Sequence, residues 1–143
     1  MRSWTGRILP AVLLLAACGA PPPDPNLSPL AQQGQAVFAQ CAACHSIEAG
    51  GQHRSGPNLY GVVGARVGVH PGYNYSAALA GADAVWTRER LDSWLADPSS
   101  EFPGHKMAYA GLVDAPARRA LIAFLEEAGS EIPDRSATDA PSG

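Results

Sequence analysis

The chain is poor in lysine, in disulfide-forming cysteine and in long apolar runs. Lys106 is the single lysine among ten Lys and Arg residues, and the formal net charge is −3. No basic stripe emerges from the scattered arginines, which excludes a nucleic-acid partner. The longest apolar run, Ile8 to Ala17, is about ten residues, roughly half of what a membrane-crossing helix needs. No internal repeat and no alternating strand pattern of useful length occur. Three cysteines, Cys18, Cys41 and Cys44, are too few and of the wrong parity for a disulfide framework, so each needs its own explanation.

The N-terminus supplies one. Arg2 and Arg7 precede the short apolar run, the pattern of an export signal. The run ends in Leu15-Ala16-Ala17-Cys18, which resembles a bacterial lipobox with a lipidated Cys18 as the new N-terminus. An ordinary secretory signal with an incidental cysteine is the alternative. An uncleaved anchor helix is disfavoured by the length and by Pro10. Cleavage after residue 17 removes two arginines and leaves a net charge of −5. Residues 18–29 then read as a lipidated cysteine and a proline-rich tether. Extended at about 3.1 Å per residue, this tether holds the domain up to roughly 30 Å from a membrane.

Residues 30–130 are the folding part, of ordinary size for one domain. Ser28-Pro29 is an N-cap followed by Pro at the first helical position, and Leu30, Gly34, Val37, Phe38 and Cys41 recur at helical spacing. Gly34 lets another helix cross closely. A second helix starts at Thr87, buries Leu91, Trp94 and Leu95, and ends at Pro98. A third starts at Asp114, runs to about Ala128 with Leu121, Phe124, Leu125 and Ala128 on one face, and stops at Gly129. Between the first two, residues 50–72 hold seven glycines and two prolines. That stretch packs no core alone, but glycine lets backbone approach a flat ring closely. The tail, residues 131–143, reads as disordered. The fold class is all-α.

Cys41-Ala42-Ala43-Cys44-His45 carries the chemistry. Two cysteines three apart on one helical turn each add to one haem vinyl group, and the adjacent histidine supplies an imidazole to the iron. A redox dithiol needs a strand–turn–helix context, and a zinc site needs a second ligand pair; neither is present. Haem c, one and covalently attached, is therefore the expected cofactor. For the opposite face of the iron, Met107 is the only methionine left after the signal is removed, in a polar, glycine-flanked loop from Phe102 to Gly111. A thioether there is better explained as a ligand than as core filling. His53, His70 and His105 compete for that role.

These motifs, taken in order, resemble a class I cytochrome c of the mitochondrial and bacterial periplasmic type. The resemblance covers roughly residues 30–130. It rests on Gly34-Gln35-Ala36-Val37-Phe38, the haem motif, Gly56-Pro57-Asn58-Leu59-Tyr60-Gly61 and Gly72-Tyr73-Asn74-Tyr75-Ser76. Trp86, Asp97-Pro98, the Pro103–Gly111 loop and Leu121-Ile122-Ala123-Phe124-Leu125 complete it. It implies a small cytochrome c fold, three main helices and glycine-rich loops wrapped around one haem. His45 and Met107 become axial ligands, with the Pro57 carbonyl orienting the His45 ring. Tyr75 and Trp86 donate to a haem propionate, where plain core packing is the alternative for each aromatic. Trp94 stands near the methionine, where the family usually has tyrosine. The family also usually has arginine after the glycine matching Gly64; here Ala65 occupies that place and Arg66 follows.

The resemblance implies an electron carrier, not an enzyme, monomeric, serving redox-protein donors and acceptors on the periplasmic side of a bacterial membrane. Many relatives present a ring of lysines to acidic partners, whereas Lys106 alone is available here. The expected partners are membrane complexes, with a terminal oxidase or other high-potential acceptor downstream. A haem subunit of a larger complex and a ligand-sensing cytochrome are the rival readings.

Overall fold

The computed structural model describes residues 22–130. The expected export signal, Cys18 and the tail at 131–143 lie outside the described residues. Five helices follow in order: α1 Pro29–Phe38, α2 Ala77–Ala80, α3 Arg88–Ala96, α4 Pro98–Glu101 and α5 Ala115–Ala128. Among the described residues the only extended pairing is an isolated antiparallel bridge between Arg66 and Val85. The expected all-α architecture with three main helices is what the chain forms, and α2 and α4 are single turns added to it.

Two of the three long helices start at a side-chain cap. The Ser28 hydroxyl accepts from Ala31 N at 3.2 Å, with Pro29 in the first turn. Thr87 does the same for Arg90 N at 3.2 Å. Asp97 ends α3 and caps α4, accepting from Ser99 N and Ser100 N. Such caps contribute about 1 kcal/mol each. Asp114 makes no side-chain cap bond, and Pro116 in the first turn helps set the start of α5.

The frame is the crossing of α1 on α5. A Cβ on Gly34 would stand 1.9 Å from the Ala120 carbonyl oxygen and 2.7 Å from Phe124 Cβ, so only glycine allows this approach. Phe38 packs on Phe124 with ring centroids 5.1 Å apart. Glu127, near the end of α5, accepts from Ser28 N at 2.8 Å and Ser28 Oγ at 2.6 Å. That places a carboxylate against the positive end of the α1 dipole. Residues 120–125 are buried without a break. A helix apolar all round is surrounded: α1 and α3 both pack against α5, and a cavity takes Leu121 and Leu125.

Two details differ from the sequence reading. Leu30 is 46% exposed, and the buried residues of α1 are Ala31, Gly34 and Phe38, because the crossing angle turns that stripe toward α5. The end of the proline-rich segment is not extended to residue 29. Leu27 is buried, Asp24 N donates to Gln35 Oε1 at 3.0 Å, and Asn26 turns back onto Asp24. Burying Leu27 stabilises by about 1.5–3 kcal/mol, enough to fold this stretch onto the helices.

Candidate haem site

One large cavity, about 470 Å³, opens between α1, α3, α5 and the long loops. Cys41, Cys44, His45, Tyr75, Trp86 and Met107, all singled out from the sequence, line it. The Cys-x-x-Cys-His segment continues from α1 in successive turns. Cys41 N donates to the Phe38 carbonyl at 2.8 Å, and Cys44 N and His45 N both donate to the Cys41 carbonyl. These turns put both thiols and the imidazole on one wall. Burial, and secondarily the neighbouring Cys44, push the Cys41 thiol up to about 11.

The His45 ring is fixed from two sides. Its Nδ1 lies 2.7 Å from the Pro57 carbonyl, so Nδ1–H donates and Nε2 keeps its lone pair free. A Cβ on Gly56 would fall 2.3 Å from the ring carbon Cε1, so glycine is required for the backbone to cradle the imidazole. Burial lowers the pKa of His45, partly offset by the Pro57 bond. The ring is thus held neutral, as a metal ligand must be.

Met107 also lines the cavity, on a loop tied down at several points. Leu112 N donates to the Leu95 carbonyl at 2.7 Å. Arg118 grips the Asp92 carboxylate and the carbonyls of Leu112 and Val113. Met107 N donates to His105 Nδ1 at 3.1 Å, and His105 Nε2 lies 3.2 Å from Ser99 Oγ. Trp94 meets the His105 ring edge-on at 5.1 Å and packs on Trp86 and Phe102. The residue expected beside the methionine therefore braces its loop through His105.

Of the three competing histidines, His53 and His105 are engaged within the protein. His53 lies outside the cavity lining, accepting from Asn58 N at 3.0 Å and donating to the Pro71 carbonyl at 2.8 Å. It pins the Pro71 turn to the Gly56–Gly61 segment, a role that no spacing rule in the sequence indicates. His105 has both ring nitrogens engaged as described. His70 lines the cavity, and its Nδ1 is buried without a partner, as is Ser76 Oγ. Arg66 also lines the cavity, while its guanidinium pairs with Asp83 at 3.0 Å in an exposed position. Lys106 donates to the Asn74 carbonyl and lies over the Tyr73 ring, joining the methionine loop to the Tyr73–Ser76 loop.

The donor set fits haem. Two thiols, an imidazole and a thioether line one cavity, and buried polar atoms without partners sit in its mostly apolar lining. A helical chamber with this chemistry defines a protein that encloses a covalently attached haem and uses it to move electrons.

The chain belongs to the cytochrome c family: the family model for cytochrome c matches residues 31–129. It is 39% identical to cytochrome c2 of Agrobacterium tumefaciens, over 71% of this chain and 94% of that protein. It is 43% identical to a cytochrome c homolog of Bradyrhizobium diazoefficiens over 66% of this chain, spanning 52% of that longer protein. Among solved structures, cytochrome cH from Methylobacterium extorquens is similar with a TM-score of 0.64 and 40% identity. That match covers 67% of this chain and 96% of that one. The protein is thus an electron carrier with covalent haem c, and not an enzyme. Among the described residues, no helix is long and apolar enough to cross a membrane.

Proposed function

We propose that the protein is a lipid-anchored, one-haem cytochrome c carrying single electrons on the periplasmic face of a bacterial membrane, toward a high-potential acceptor such as a terminal oxidase. The observation that carries this reading is the convergence of Cys41, Cys44, His45 and Met107 on one cavity. Bound haem supplies the one-electron couple. Cys41 and Cys44 would hold it by thioether bonds, and His45 and Met107 would ligate its iron. Pro57 orients His45, and Tyr75 and Trp86 line the cavity, where they would donate to a propionate. Met107 favours the reduced state, since a soft thioether suits ferrous iron, and the apolar lining disfavours the extra charge of the ferric form. With His45 and Met107 both bound to it, the iron would keep no open position for oxygen chemistry.

The anchor rests on the lipobox at residues 15–18 together with the proline-rich segment after it. Because the chain docks on the domain from Asp24, six residues separate Cys18 from that docking point, about 19 Å of chain at the polyproline rise of about 3.1 Å per residue. So short a leash confines the carrier to partners in the same membrane.

The testing experiment is the equilibrium reduction potential of the purified holoprotein, with intact mass for the N-terminus. A clearly positive potential and a diacylated Cys18 are expected. A clearly negative potential would remove Met107 as ligand, and an unlipidated N-terminus would remove the anchor.

A further inference from the structure

A methionine side chain is unbranched and flexible, so a sulfur held at one place needs a backbone held there first. Met107 lies in the helix-free stretch between α4 and α5. Along it, residues 105, 107 and 109 are half-buried while 106, 108 and 110 are exposed. That period of two puts His105 and Met107 on the same side of the chain. His105 makes two polar contacts there. Its Nδ1 accepts from Met107 N at 3.1 Å, and its Nε2 lies 3.2 Å from Ser99 Oγ. A backbone N–H can only donate, so Nδ1 is the acceptor and the ring proton of the neutral imidazole sits on Nε2. Nε2–H therefore donates to Ser99.

Ser99 stands on α4, a single turn in which only Pro98 is buried. Such an element adds little core, yet it is firmly held. The Asp97 carboxylate accepts from Ser99 N, Ser100 N and Ser100 Oγ. Glu101 pairs with Arg90 of α3 at 3.2 Å. Trp94 of α3, itself buried, meets the His105 ring edge-on at 5.1 Å. The turn thus offers the imidazole a fixed point beside the methionine loop.

We propose that His105 is the positioning residue for Met107: its imidazole bridges Ser99 of α4 to the Met107 backbone amide and so slows departure of the thioether from the iron. This rests on Met107 being an axial ligand, as proposed above. The bridge acts on the Met107 backbone and not on its sulfur. The same two contacts engage both nitrogens of the imidazole and keep His105 from serving as a ligand itself. On the other side of Met107, Tyr109 N donates to the Met107 carbonyl at 3.0 Å, and the Tyr109 hydroxyl donates to Gln40 Oε1 at 3.4 Å. That side-chain tie is the longer one, which leaves His105 as the main hold.

The test uses the reduced full-chain holoprotein. It reads the rate at which carbon monoxide displaces Met107, together with hydrogen exchange of the Met107 amide. His105→Ala removes both contacts and should raise both rates about tenfold, equivalent to about 1.4 kcal/mol, which the loss of two hydrogen bonds supplies. His105→Asn should return the amide exchange to within about twofold of wild type, because an asparagine oxygen accepts from the backbone two residues on. Its carbon monoxide rate should match that of Ser99→Ala, about threefold above wild type, since each lacks only the Ser99 contact. Rates in His105→Ala within about twofold of wild type overturn the inference, and a fast, low-potential Met107→Ala beside them leaves the ligand reading standing. His105→Asn as fast as His105→Ala in both readouts also overturns it, since packing and not hydrogen bonding would then be at work. Met107→Ala indistinguishable from wild type overturns the ligand reading and this inference with it. Should His105→Ala not fold, the exposed Ser99→Ala and the wild-type protein decide: an unchanged carbon monoxide rate in the first, or an unprotected Met107 amide in the second, refutes the proposal.

Discussion

Replacing Gly34 with alanine tests the whole frame with one methyl group. The new Cβ would sit 1.9 Å from the Ala120 carbonyl oxygen, 2.5 Å from its carbon and 2.7 Å from Phe124 Cβ. The first two are backbone atoms of α5 and cannot rotate away, so the helices must separate by about 1.5 Å to restore an ordinary contact. A gap of 0.5–1 Å already forfeits a quarter to a half of the dispersion well. Losing about half the burial gain of Phe38 and Phe124 costs roughly 2–3 kcal/mol. Backbone displacement adds about 1–3 kcal/mol, and the better helix propensity of alanine returns about 1 kcal/mol. The net loss is about 2–5 kcal/mol, which in a domain of this size lowers the melting midpoint by roughly 8 °C or more. Denaturant unfolding of the holoprotein measures it, with exposed Gln33→Ala as a control expected within about 0.5 kcal/mol of wild type. A Gly34→Ala protein as stable as wild type, or more so, would mean that propensity outweighs the crossing, and the account of α1 on α5 would be wrong.

Three further outcomes are expected. Met107→Ala should open the sixth position, lower the potential by on the order of 0.1 V within the roughly 0.8 V that axial ligands span, and allow carbon monoxide to bind the reduced protein; an unchanged potential eliminates Met107 as ligand. Burial raises the Tyr75 phenol, so the fold prefers its neutral form. Stability is then untouched below about pH 10, the ordinary tyrosine value, and falls as pH rises from there toward the raised folded value. Tyr75→Phe should move alkaline unfolding, followed by the haem absorbance, to higher pH, and no movement refutes the burial argument. Electron-transfer rates with an acidic partner should fall only shallowly with added salt, and a steep loss would contradict the absence of a lysine ring.

What could be read from the sequence was whatever depends on local chemistry. Ser28, Thr87 and Gly129 marked helix ends because caps and stops act within a few residues. Leu91, Trp94 and Leu95 marked a buried face because α3 has a helical period. Cys41, Cys44, His45 and Met107 stand together in the cavity because their residue types have few other uses in such a chain. What was not legible depends on contacts between distant segments. Leu30 fits the apolar period but lies beyond the edge of the crossing, while Ala31, with almost no side chain, is fully buried. Leu27 belongs to the core because α1 and α5 leave a place for it, and the prolines around it hid that. His53 and His70 are indistinguishable as letters. One is a brace with both nitrogens engaged, and the other has a buried nitrogen turned to the cavity lining without a protein partner. Only the meeting of loops far apart in sequence separates them.

The same reasoning bears on how the carrier finds its partners. A diffusible cytochrome with a lysine ring is steered over long range by charge. Here the single lysine is spent inside the molecule, donating to the Asn74 carbonyl and lying on Tyr73, where it closes one loop over another. Making it available for docking would loosen the cover of the cavity. The proposed lipid anchor would remove the need for steering, because it would turn a search in three dimensions into one along a surface and raise the effective concentration of nearby partners. The shortage of lysine and the proposed anchor are then one adaptation: a carrier held beside its membrane partners needs no long-range field, and its charged residues are free to brace the loops around the haem instead.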